Sequence, residues 1–224
     1  ENLIARAAWS TSIGRPNFNQ YAGGVTLPDP ENPSPGDQIT VSNVGIKPWS
    51  ARSINVRLEY YMQGVGQITV GAFRRDFENF FGSTTLESTP EFLENYSLDP
   101  ETYGQYPVVT QYNLDTTVRM QGISVNYRQP LTFLPAWARG IQIFANGNAQ
   151  RLLGSATANF PAFVPRTANW GLSLSRPKYT FRANWNYRSA QRRAAINSTP
   201  TNGIEAGTYT WWSKRLYVDL NAEY

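Results

Sequence analysis

Apolar and polar residues alternate with a period of two along much of this chain. Across residues 179–188, every odd position is apolar or aromatic and every even position is polar. A similar alternation occurs across residues 53–60, 169–175 and 216–224. Because successive side chains of a β-strand point to opposite faces, these segments are predicted to form strands with one apolar and one polar face.

The chain as a whole is predicted to be all-β, with about eight strands. A strand of a soluble protein usually has about 5–6 residues, whereas a tilted strand that crosses a membrane needs about 9–11. The length of the predicted strands therefore favours strands that cross a membrane. The alternation changes phase near Phe73 and near Gly122, where a β-bulge or a glycine kink is expected. The predicted strands span residues 3–13, 51–62, 67–81, 116–130, 138–152, 167–176, 179–196 and 212–224.

Long and short connections alternate between these strands. The longer ones are residues 14–50, 82–115, 153–166 and 197–211, and the short ones are residues 63–66, 131–137 and 177–178. All the longer connections therefore lie at one end of the strands. This asymmetry predicts a transmembrane antiparallel up-and-down β-barrel with short periplasmic turns and long extracellular loops.

The composition agrees with strands that face lipid. Only 16% of the residues are charged, whereas a globular domain averages about 25%. Aromatic residues make up 14% of the chain, and amphipathic rings favour the level of the lipid headgroups. Many of them lie near predicted strand ends: Trp49, Tyr60, Tyr61, Phe80, Phe81, Tyr127, Phe133, Trp137, Trp170, Tyr179, Trp211, Trp212 and Tyr224.

The composition also excludes several kinds of chemistry. The chain has no cysteine and no histidine, which rules out disulfides, Cys/His zinc sites and histidine-dependent catalytic triads. The acidic residues within 87–101 lack the spacing of a calcium-binding EF-hand loop, so they are interpreted as part of a solvated loop. No catalytic residue, metal site or cofactor is predicted, and the chain is not expected to be an enzyme.

The positive charge is dispersed along the chain. The net charge of +4 arises from 17 arginines and 3 lysines against 16 acidic residues. The densest positive group is residues 191–193. A module that binds nucleic acid would concentrate its arginines and lysines in a stripe, so no nucleic-acid partner is expected.

The polar faces of the strands are predicted to line the lumen of the barrel. Arginine, asparagine and acidic side chains would make a wet surface, suited to a channel or to contact with a folded plug. The predicted lumen-facing residues are Arg6, Asn55, Arg57, Glu59, Arg182, Asn184, Asn186, Arg188, Asp219, Asn221 and Glu223.

Several segments resemble the barrels of TonB-dependent outer-membrane receptors. Residues 5–18 (ARAAWSTSIGRPNF) are similar to a strand of that family that ends in an Arg-Pro pair before an outer loop. Residues 43–51 (NVGIKPWSA) resemble the family's Asn-Pro-x-Leu-Lys-Pro segment, which leads into a strand that ends in Glu-Tyr-Tyr, here residues 59–61. The sequence departs from that pattern at Val44, where the family usually has proline, and at Ile46, where it has leucine.

The resemblance extends along the chain in the family's order. Residues 71–81 are similar to the next upward strand, and residues 144–148 and 164–172 fit later strands. The resemblance implies a barrel of about 22 strands with an N-terminal plug domain. At about eight strands in 224 residues, such a barrel needs on the order of 600 residues. The chain is therefore expected to be an internal to C-terminal section of a barrel, residues 1–224, without the plug.

The resemblance also implies a function. Such receptors lie in the outer membrane and import scarce large nutrients such as ferric siderophores, cobalamin or oligosaccharides, with energy from the TonB complex. The implied partners are outer-membrane lipid and lipopolysaccharide, the nutrient ligand, and the TonB complex, which would be contacted through an N-terminal part outside these residues. No cofactor is implied.

Two other interpretations remain open from the residues. A small, self-contained eight-stranded barrel with a passive or structural role would have a lumen packed by its own side chains. A soluble carbohydrate-binding β-sandwich would use exposed tryptophan and tyrosine for sugars. For the transporter, stacking contacts with a ligand are predicted from aromatic residues in the long connections, namely Trp49, Tyr96, Tyr103, Tyr106 and Phe160.

Overall fold

The computed structural model describes residues 2–34, 36–62, 65–155, 158, 160, 162–196, 203–205 and 207–224. In chain order the strands are β1 (Leu3–Gly14), β2 (Val25–Thr26), β3 (Ile39–Val41), β4 (Trp49–Tyr61), β5 (Gln67–Glu78), β6 (Phe81–Leu86), β7 (Val108–Asn113), β8 (Val118–Pro130), β9 (Ile141–Leu153), β10 (Arg166–Ser175), β11 (Thr180–Arg188), β12 (Gln191–Ala195), β13 (Tyr209–Trp212) and β14 (Arg215–Glu223). The α-helices are α1 (Phe18–Tyr21), α2 (Pro90–Asn95) and α3 (Pro100–Tyr103), and a 3-10 helix spans Ala136–Ala138.

Eight long strands form one antiparallel sheet, which we call the main sheet. Its order is β1-β4-β5-β8-β9-β10-β11-β14, so each strand pairs with its neighbours in an up-and-down arrangement. This confirms the predicted all-β fold. A closed eight-stranded barrel would require β1 to pair with β14. Within the described ranges no such pair is formed, and β1 and β14 are the two edge strands of the sheet.

The register gives the main sheet one apolar and one polar face. Residues of one row across the sheet are direct cross-strand partners, so their side chains point to the same side. On the face that we call the apolar face, one row comprises Ala5, Leu58, Val70, Val125, Gly147, Ala168, Tyr187 and Leu216. On the opposite, polar face, the adjacent row comprises Arg6, Arg57, Gly71, Ser124, Asn148, Thr167, Arg188 and Arg215.

The connections of the main sheet differ in length at its two ends. Residues 15–48, 79–117, 154–165 and 189–214 connect strands at one end, which we call the long-loop end. Residues 62–66, 131–140 and 176–179 connect strands at the other, the short-turn end. The first of these turns includes residues 63 and 64, which lie outside the described residues. The alternation that the sequence predicts is therefore present in the fold.

Two of the predicted strands continue too far at the long-loop end. The strand predicted at 67–81 ends at Glu78, because Asn79 adopts a left-handed backbone conformation (φ 54°) and the chain leaves the main sheet. The strand predicted at 179–196 is two strands, β11 and β12, and β12 pairs with β13 rather than with β14. Trp212, predicted to begin the last strand, lies in β13.

The predicted change of phase at Phe73 and Gly122 is not a bulge. These two residues are direct partners in an unbroken register between β5 and β8. A Cβ atom on Gly122 would lie 2.8 Å from Cε1 of Phe73. The apolar–polar alternation is interrupted because the Phe73 ring lies on the polar face, where it covers Gly122, a residue without a side chain.

The long connections fold into a separate layer at the long-loop end, which we call the loop layer. It contains a four-stranded sheet in the order β2-β3-β7-β6, in which β3 and β7 are parallel. Thr89 and Asp99 are the N-cap residues of α2 and α3, and their side chains accept hydrogen bonds from backbone N–H groups of the first turn. In the described residues no helix has both the length and the apolar character that a membrane crossing requires.

Two hydrophobic clusters stabilise the loop layer. The first joins the ends of β4, β5 and β8 to the loops through Ala51, Phe77, Phe80, Leu114, Val118 and Ala158. The second consists of Ile39 of β3, Val108 of β7 and Tyr106. Below them, large apolar side chains of the main sheet such as Ile54, Val56 and Leu58 remain about half exposed.

Candidate functional site

The register places all the predicted lumen-facing residues on the polar face of the main sheet. Arg6 is the cross-strand partner of Arg57, and Asn184 is the partner of Asp219. Because the main sheet does not enclose a lumen within the described residues, their position towards a lumen stays a prediction. The complete set on this face is Arg6, Asn55, Arg57, Glu59, Arg182, Asn184, Asn186, Arg188, Asp219, Asn221 and Glu223.

A continuous row of polar residues crosses this face, from the short-turn end of β4 to the long-loop end of β11. It comprises Glu59, Thr69, Asn126, Asn146, Asn169 and Asn186. Asn146 Nδ2 donates to Asn169 Oδ1 at 3.4 Å, and the Asn169 amide donates in turn to Asn186. Asn186 Nδ2 then donates to a carboxylate oxygen of Asp219 at 2.7 Å. The part of the row from Asn146 to Asn186, continued by Asp219, is therefore a hydrogen-bonded chain of side chains across four neighbouring strands, β9, β10, β11 and β14.

Glu59 is the centre of an ion-pair cluster at one end of that row. Its Oε1 accepts from Arg6 Nε at 3.1 Å and from Arg57 Nε at 2.7 Å, and its Oε2 accepts from the Tyr61 hydroxyl at 2.7 Å. The Glu59 side chain is only 3% exposed, whereas those of Arg6 and Arg57 are 61% and 55% exposed. The cluster therefore presents two guanidinium groups to solvent and encloses its single carboxylate.

Two amide oxygens on the polar face lack a hydrogen-bond partner among the described residues. Asn148 Oδ1 and Asn184 Oδ1 are buried and accept no hydrogen bond within the part of the chain that is described. Buried polar atoms are nearly always hydrogen-bonded. These two acceptors are suited to water or to donors of another polar surface.

Trp49 and Phe160, two of the predicted ligand-stacking residues, lie in the first hydrophobic cluster. The Phe160 ring stacks on Phe80 with centroids 4.1 Å apart, and Trp49 lies 5.6 Å from Phe77. Both rings are partly buried. Both rings therefore have a structural role in this cluster, and contact with a ligand stays a prediction for them.

The other three predicted stacking residues lie around helices α2 and α3. Tyr106 is 6% exposed in the second cluster, and Tyr103 packs against it with centroids 6.3 Å apart. Tyr96 packs against Phe92 and is 45% exposed, so it is the most accessible of the five. Contact with a ligand stays a prediction for these residues too.

A group of arginine and aromatic side chains at the long-loop end was not predicted as a site. Arg192 Cζ lies 4.3 Å from the ring centroid of Tyr209 and 5.8 Å from that of Trp211. The ring of Trp212 lies 4.6 Å from Arg193 Cζ and 5.6 Å from Arg188 Cζ. Together with Phe163, whose centroid is 6.0 Å from Arg192 Cζ, these residues form what we call the arginine–aromatic cluster.

The pairing of β12 with β13 assembles this cluster. Arg192 is the cross-strand partner of Trp211, and Gln191 is the partner of Trp212. Burial raises the pKa of the Tyr209 hydroxyl above its ordinary value, so the ring carries no negative charge at neutral pH. The dense positive group at residues 191–193 was the only signal of this cluster in the sequence. The sequence does not show that residues 209–212 lie beside that group.

The cluster can bind an anion that carries rings. Guanidinium groups form paired hydrogen bonds with oxyanions, and their planes stack on aromatic faces. Arg188 Nε and Arg192 Nε are buried and have no hydrogen-bond partner among the atoms of the described residues. In the same part of the chain, no three acidic, cysteine or histidine residues lie close enough to hold a metal ion.

Comparison with known proteins gives one family and a set of similar folds. The family model "TonB dependent receptor-like, beta-barrel" matches residues 1–224. The ferric enterobactin receptor PfeA of Pseudomonas aeruginosa is similar in structure over 99% of this chain, with a TM-score of 0.66 and 14% identity. The copper transporter OprC is similar over 99%, with a TM-score of 0.64 and 13% identity.

A third similar structure is the siderophore receptor PirA of Pseudomonas aeruginosa, over 100% of this chain with a TM-score of 0.59 and 14% identity. The chain covers 30% of PfeA, 29% of OprC and 39% of PirA. At these identities the likeness is one of fold. No curated protein sequence matches the chain.

Proposed function

We infer the function from one premise: the chain belongs to the family of TonB-dependent receptor β-barrels. Members of this family are outer-membrane transporters rather than enzymes. We propose that this chain forms part of the barrel wall of such a transporter, and that the transporter imports a scarce large nutrient with energy from the TonB complex. The observation that carries the proposal is the unbroken register of the main sheet, which separates an apolar from a polar face over eight strands.

The apolar face faces lipid in this proposal. Its central row, from Leu58 to Leu216, contains no charged residue. The row two positions nearer the short-turn end contains Tyr60 and Tyr127, which lie close to the short-turn ends of β4 and β8 and suit the level of the lipid headgroups. Between the two edge strands, β1 and β14, the backbone groups of neighbouring strands are paired, as strands that cross a membrane require. In this proposal the edges of β1 and β14 pair with other strands of the barrel wall.

The polar face and the loop layer serve the transported nutrient. The polar row and the unpaired oxygens of Asn148 and Asn184 suit contact with water and with a polar plug domain. The long-loop end is extracellular, as in barrels with short periplasmic turns. The TonB complex acts through a part of the transporter other than this barrel wall.

The nutrient is an anionic iron chelate with aromatic rings, as in a ferric siderophore. The arginine–aromatic cluster supports this choice, since its three arginines lie at the long-loop end beside four rings. Two of the similar structures are described as a ferric enterobactin receptor and a siderophore receptor. Cobalamin and oligosaccharides, which lack such negative charge, suit this cluster less well.

Uptake of radioactive iron as a ferric siderophore tests the proposal. Cells that express the transporter are expected to accumulate iron only when TonB is present and the inner membrane is energised. The substitution Arg192→Gln is expected to raise the half-saturating concentration of the chelate about tenfold, because one charge-assisted hydrogen bond is lost. The matched variant Arg139→Gln, in the short turns, is expected to leave it unchanged. Uptake that continues without TonB would contradict active transport.

A further inference from the structure

One row of the polar face leads from the arginine–aromatic cluster towards the short-turn end of the main sheet. Arg188, which belongs to that cluster, is the last residue of β11, at the long-loop end. The row passes through direct cross-strand partners to Arg57, four residues before the short-turn end of β4, and then to Arg6. We call it the oblique row. In order from the long-loop end it comprises Arg188, Thr167, Asn148, Ser124, Gly71, Arg57 and Arg6.

The middle of the oblique row carries small side chains. Gly71 has none, and a Cβ atom on it would lie 2.9 Å from Oγ of Ser124. The hydroxyl groups of Ser124 and Thr167 can donate hydrogen bonds to an oxyanion. Among the described residues of this row and of the two rows beside it, Glu59 is the only acidic one, and its side chain is buried. An anion that follows the row therefore meets no exposed carboxylate.

The row ends at a pair of arginines with unused donors. Arg6 donates to Glu59 through Nε, and neither of its Nη atoms donates a hydrogen bond within the described ranges. Arg57 donates to the same oxygen of Glu59, and both guanidinium groups are more than half exposed. Since one arginine would neutralise Glu59, the cluster keeps one excess positive charge.

The buried carboxylate holds this arginine pair ready for an anion. Because Oε1 of Glu59 accepts from Arg6 at 3.1 Å and from Arg57 at 2.7 Å, the two guanidinium groups lie side by side. Guanidinium groups donate paired hydrogen bonds to oxyanions, and these charge-assisted bonds are stronger than bonds between neutral groups. The pair therefore offers a second anion-binding surface on the polar face, separate from the arginine–aromatic cluster.

The oblique row connects these two cationic sites. We propose that Arg6 and Arg57 form a second binding site for the anionic chelate, which the chelate occupies after it leaves the arginine–aromatic cluster and before it enters the periplasm. The inference rests on the proposed function, because it takes the nutrient to be an anion and the short-turn end to be periplasmic. The first site determines how tightly the chelate binds from outside, and the second determines how fast it passes the wall.

Transport kinetics of the full-length receptor in cells test this site. The probe is radioactive iron as a ferric tris-catecholate, and the maximal uptake rate is divided by the number of receptors that bind it at the cell surface. The variant Arg6→Gln/Glu59→Gln/Arg57→Gln removes the pair without leaving a buried carboxylate unpaired. It is expected to lower the maximal rate about tenfold, since charge-assisted bonds to the chelate are lost. The affinity of the chelate for cells without TonB should not change, because the arginine–aromatic cluster is intact.

A matched control lies on the apolar face. There Asp76 accepts from Arg74 at 2.7 Å and from Arg119 at 2.6 Å, so two arginines again share one carboxylate. Arg74 is the cross-strand partner of Ile54 and does not face the nutrient. The variant Arg74→Gln/Asp76→Asn/Arg119→Gln is expected to transport at the rate of the unsubstituted receptor. Equal decreases in the two triple variants would overturn the proposal.

A second comparison separates anion binding from a structural role of the cluster. Glu59→Gln breaks the ion pairs but keeps both guanidinium groups. It is expected to lower the maximal rate no more than about twofold, because both groups are exposed and keep their charge. A decrease as large as that of the polar-face triple variant would show that the cluster acts only through the structure of the wall.

The single variant Arg6→Gln provides the test if the polar-face triple variant does not fold. Glu59 keeps its ion pair with Arg57 in this variant. The maximal rate is expected to fall about threefold, and an unchanged rate would overturn the proposal.

Failure of this inference can be told from failure of the transport proposal. A full rate of TonB-dependent uptake by the folded polar-face triple variant would reject the second site alone. Uptake that does not need TonB would reject active transport. Absence of uptake by the unsubstituted receptor would reject the proposed nutrient, and the second site with it.

Discussion

The main sheet and the loop layer are stabilised in opposite ways. The loop layer contains one hydrophobic cluster of its own, and a second cluster, which stacks Phe80 on Phe160, joins it to the ends of β4, β5 and β8. On the apolar face of the main sheet, by contrast, Ile54, Val56 and Leu58 remain about half exposed. The loop layer is therefore stabilised by buried apolar side chains, as a small soluble protein is. The stability of the main sheet depends instead on the hydrogen bonds between its strands and on the solvent that covers each face.

Removing an aromatic ring from the loop layer should have the largest effect. Phe80→Ala is expected to destabilise this layer by about 3–5 kcal/mol, because it opens a cavity beside Phe77 and Phe160. Hydrogen exchange of residues 79–117 in the full-length receptor measures the loss. The exposed Phe133, in a short turn, provides the control Phe133→Ala, which should leave exchange unchanged. An equal increase of hydrogen exchange in the two variants would contradict the conclusion that Phe80 belongs to a hydrophobic core.

A charge on one or the other face of the sheet should have the next largest effect. Val125 and Asn126 are neighbours on β8 that point to the apolar and the polar face. Val125→Arg is expected to cost about 2–4 kcal/mol, because it places a cation towards lipid near the middle of the membrane. Asn126→Arg should cost little. Heat-modifiable migration of the receptor from isolated outer membranes measures the folded fraction. A similar decrease of the folded fraction in both variants would contradict the view that lipid covers one face of the sheet and water the other.

The ion-pair cluster on the polar face should give a smaller effect. Glu59→Gln leaves Arg6 and Arg57 without their shared carboxylate. Since both guanidinium groups are more than half exposed, water replaces much of the lost interaction. Thermal unfolding should show a modest decrease in stability, larger than that of Glu78→Gln at the more exposed pair with Arg52. A larger decrease in thermal stability for Glu78→Gln would contradict the claim that the burial of Glu59 makes its ion pairs the stronger ones.

The smallest expected effect is a local dependence on pH in the loop layer. Hydrogen bonds from the Thr102 hydroxyl and the Glu101 backbone hold the pKa of Asp99 below its ordinary value of 3.8. The ionised carboxylate therefore stabilises the start of α3 at pH values above about 4, and this contribution is lost as the pH falls further. Amide exchange at α3 should rise over that range, and Asp99→Asn should abolish the change. An unchanged profile in the variant would show that another group titrates.

The contrast between sheet and loops also determines what the sequence could predict. In the sheet, each strand position is determined by a local alternation, so the faces of residues as distant as Arg6 and Asp219 could be predicted together. The exception, at Phe73, arose because a polar-face ring is accommodated by a glycine on the next strand. That compensation is visible only when the register between β5 and β8 is known.

In the loop layer the decisive contacts join residues that are distant in the chain. The parallel pairing of β3 with β7 brings Ile39 to Val108, across residues with no alternating pattern. The arginine–aromatic cluster likewise depends on the pairing of β12 with β13. Strands of two to six residues carry too few positions for a period to be recognised, so neither contact could be predicted from the sequence.

The orientation of the two faces of the main sheet is the central claim, and β4 offers a direct measurement. The chain contains no cysteine, so nitroxide spin labels can be attached at Asn55→Cys, Val56→Cys, Arg57→Cys and Leu58→Cys, one at a time, in the receptor in lipid bilayers. We predict that collision with oxygen, which concentrates in lipid, is high at positions 56 and 58 and low at positions 55 and 57. Collision with a water-soluble nickel complex should be low at positions 56 and 58. Equal oxygen accessibility at all four positions, or the reverse alternation, would contradict the account.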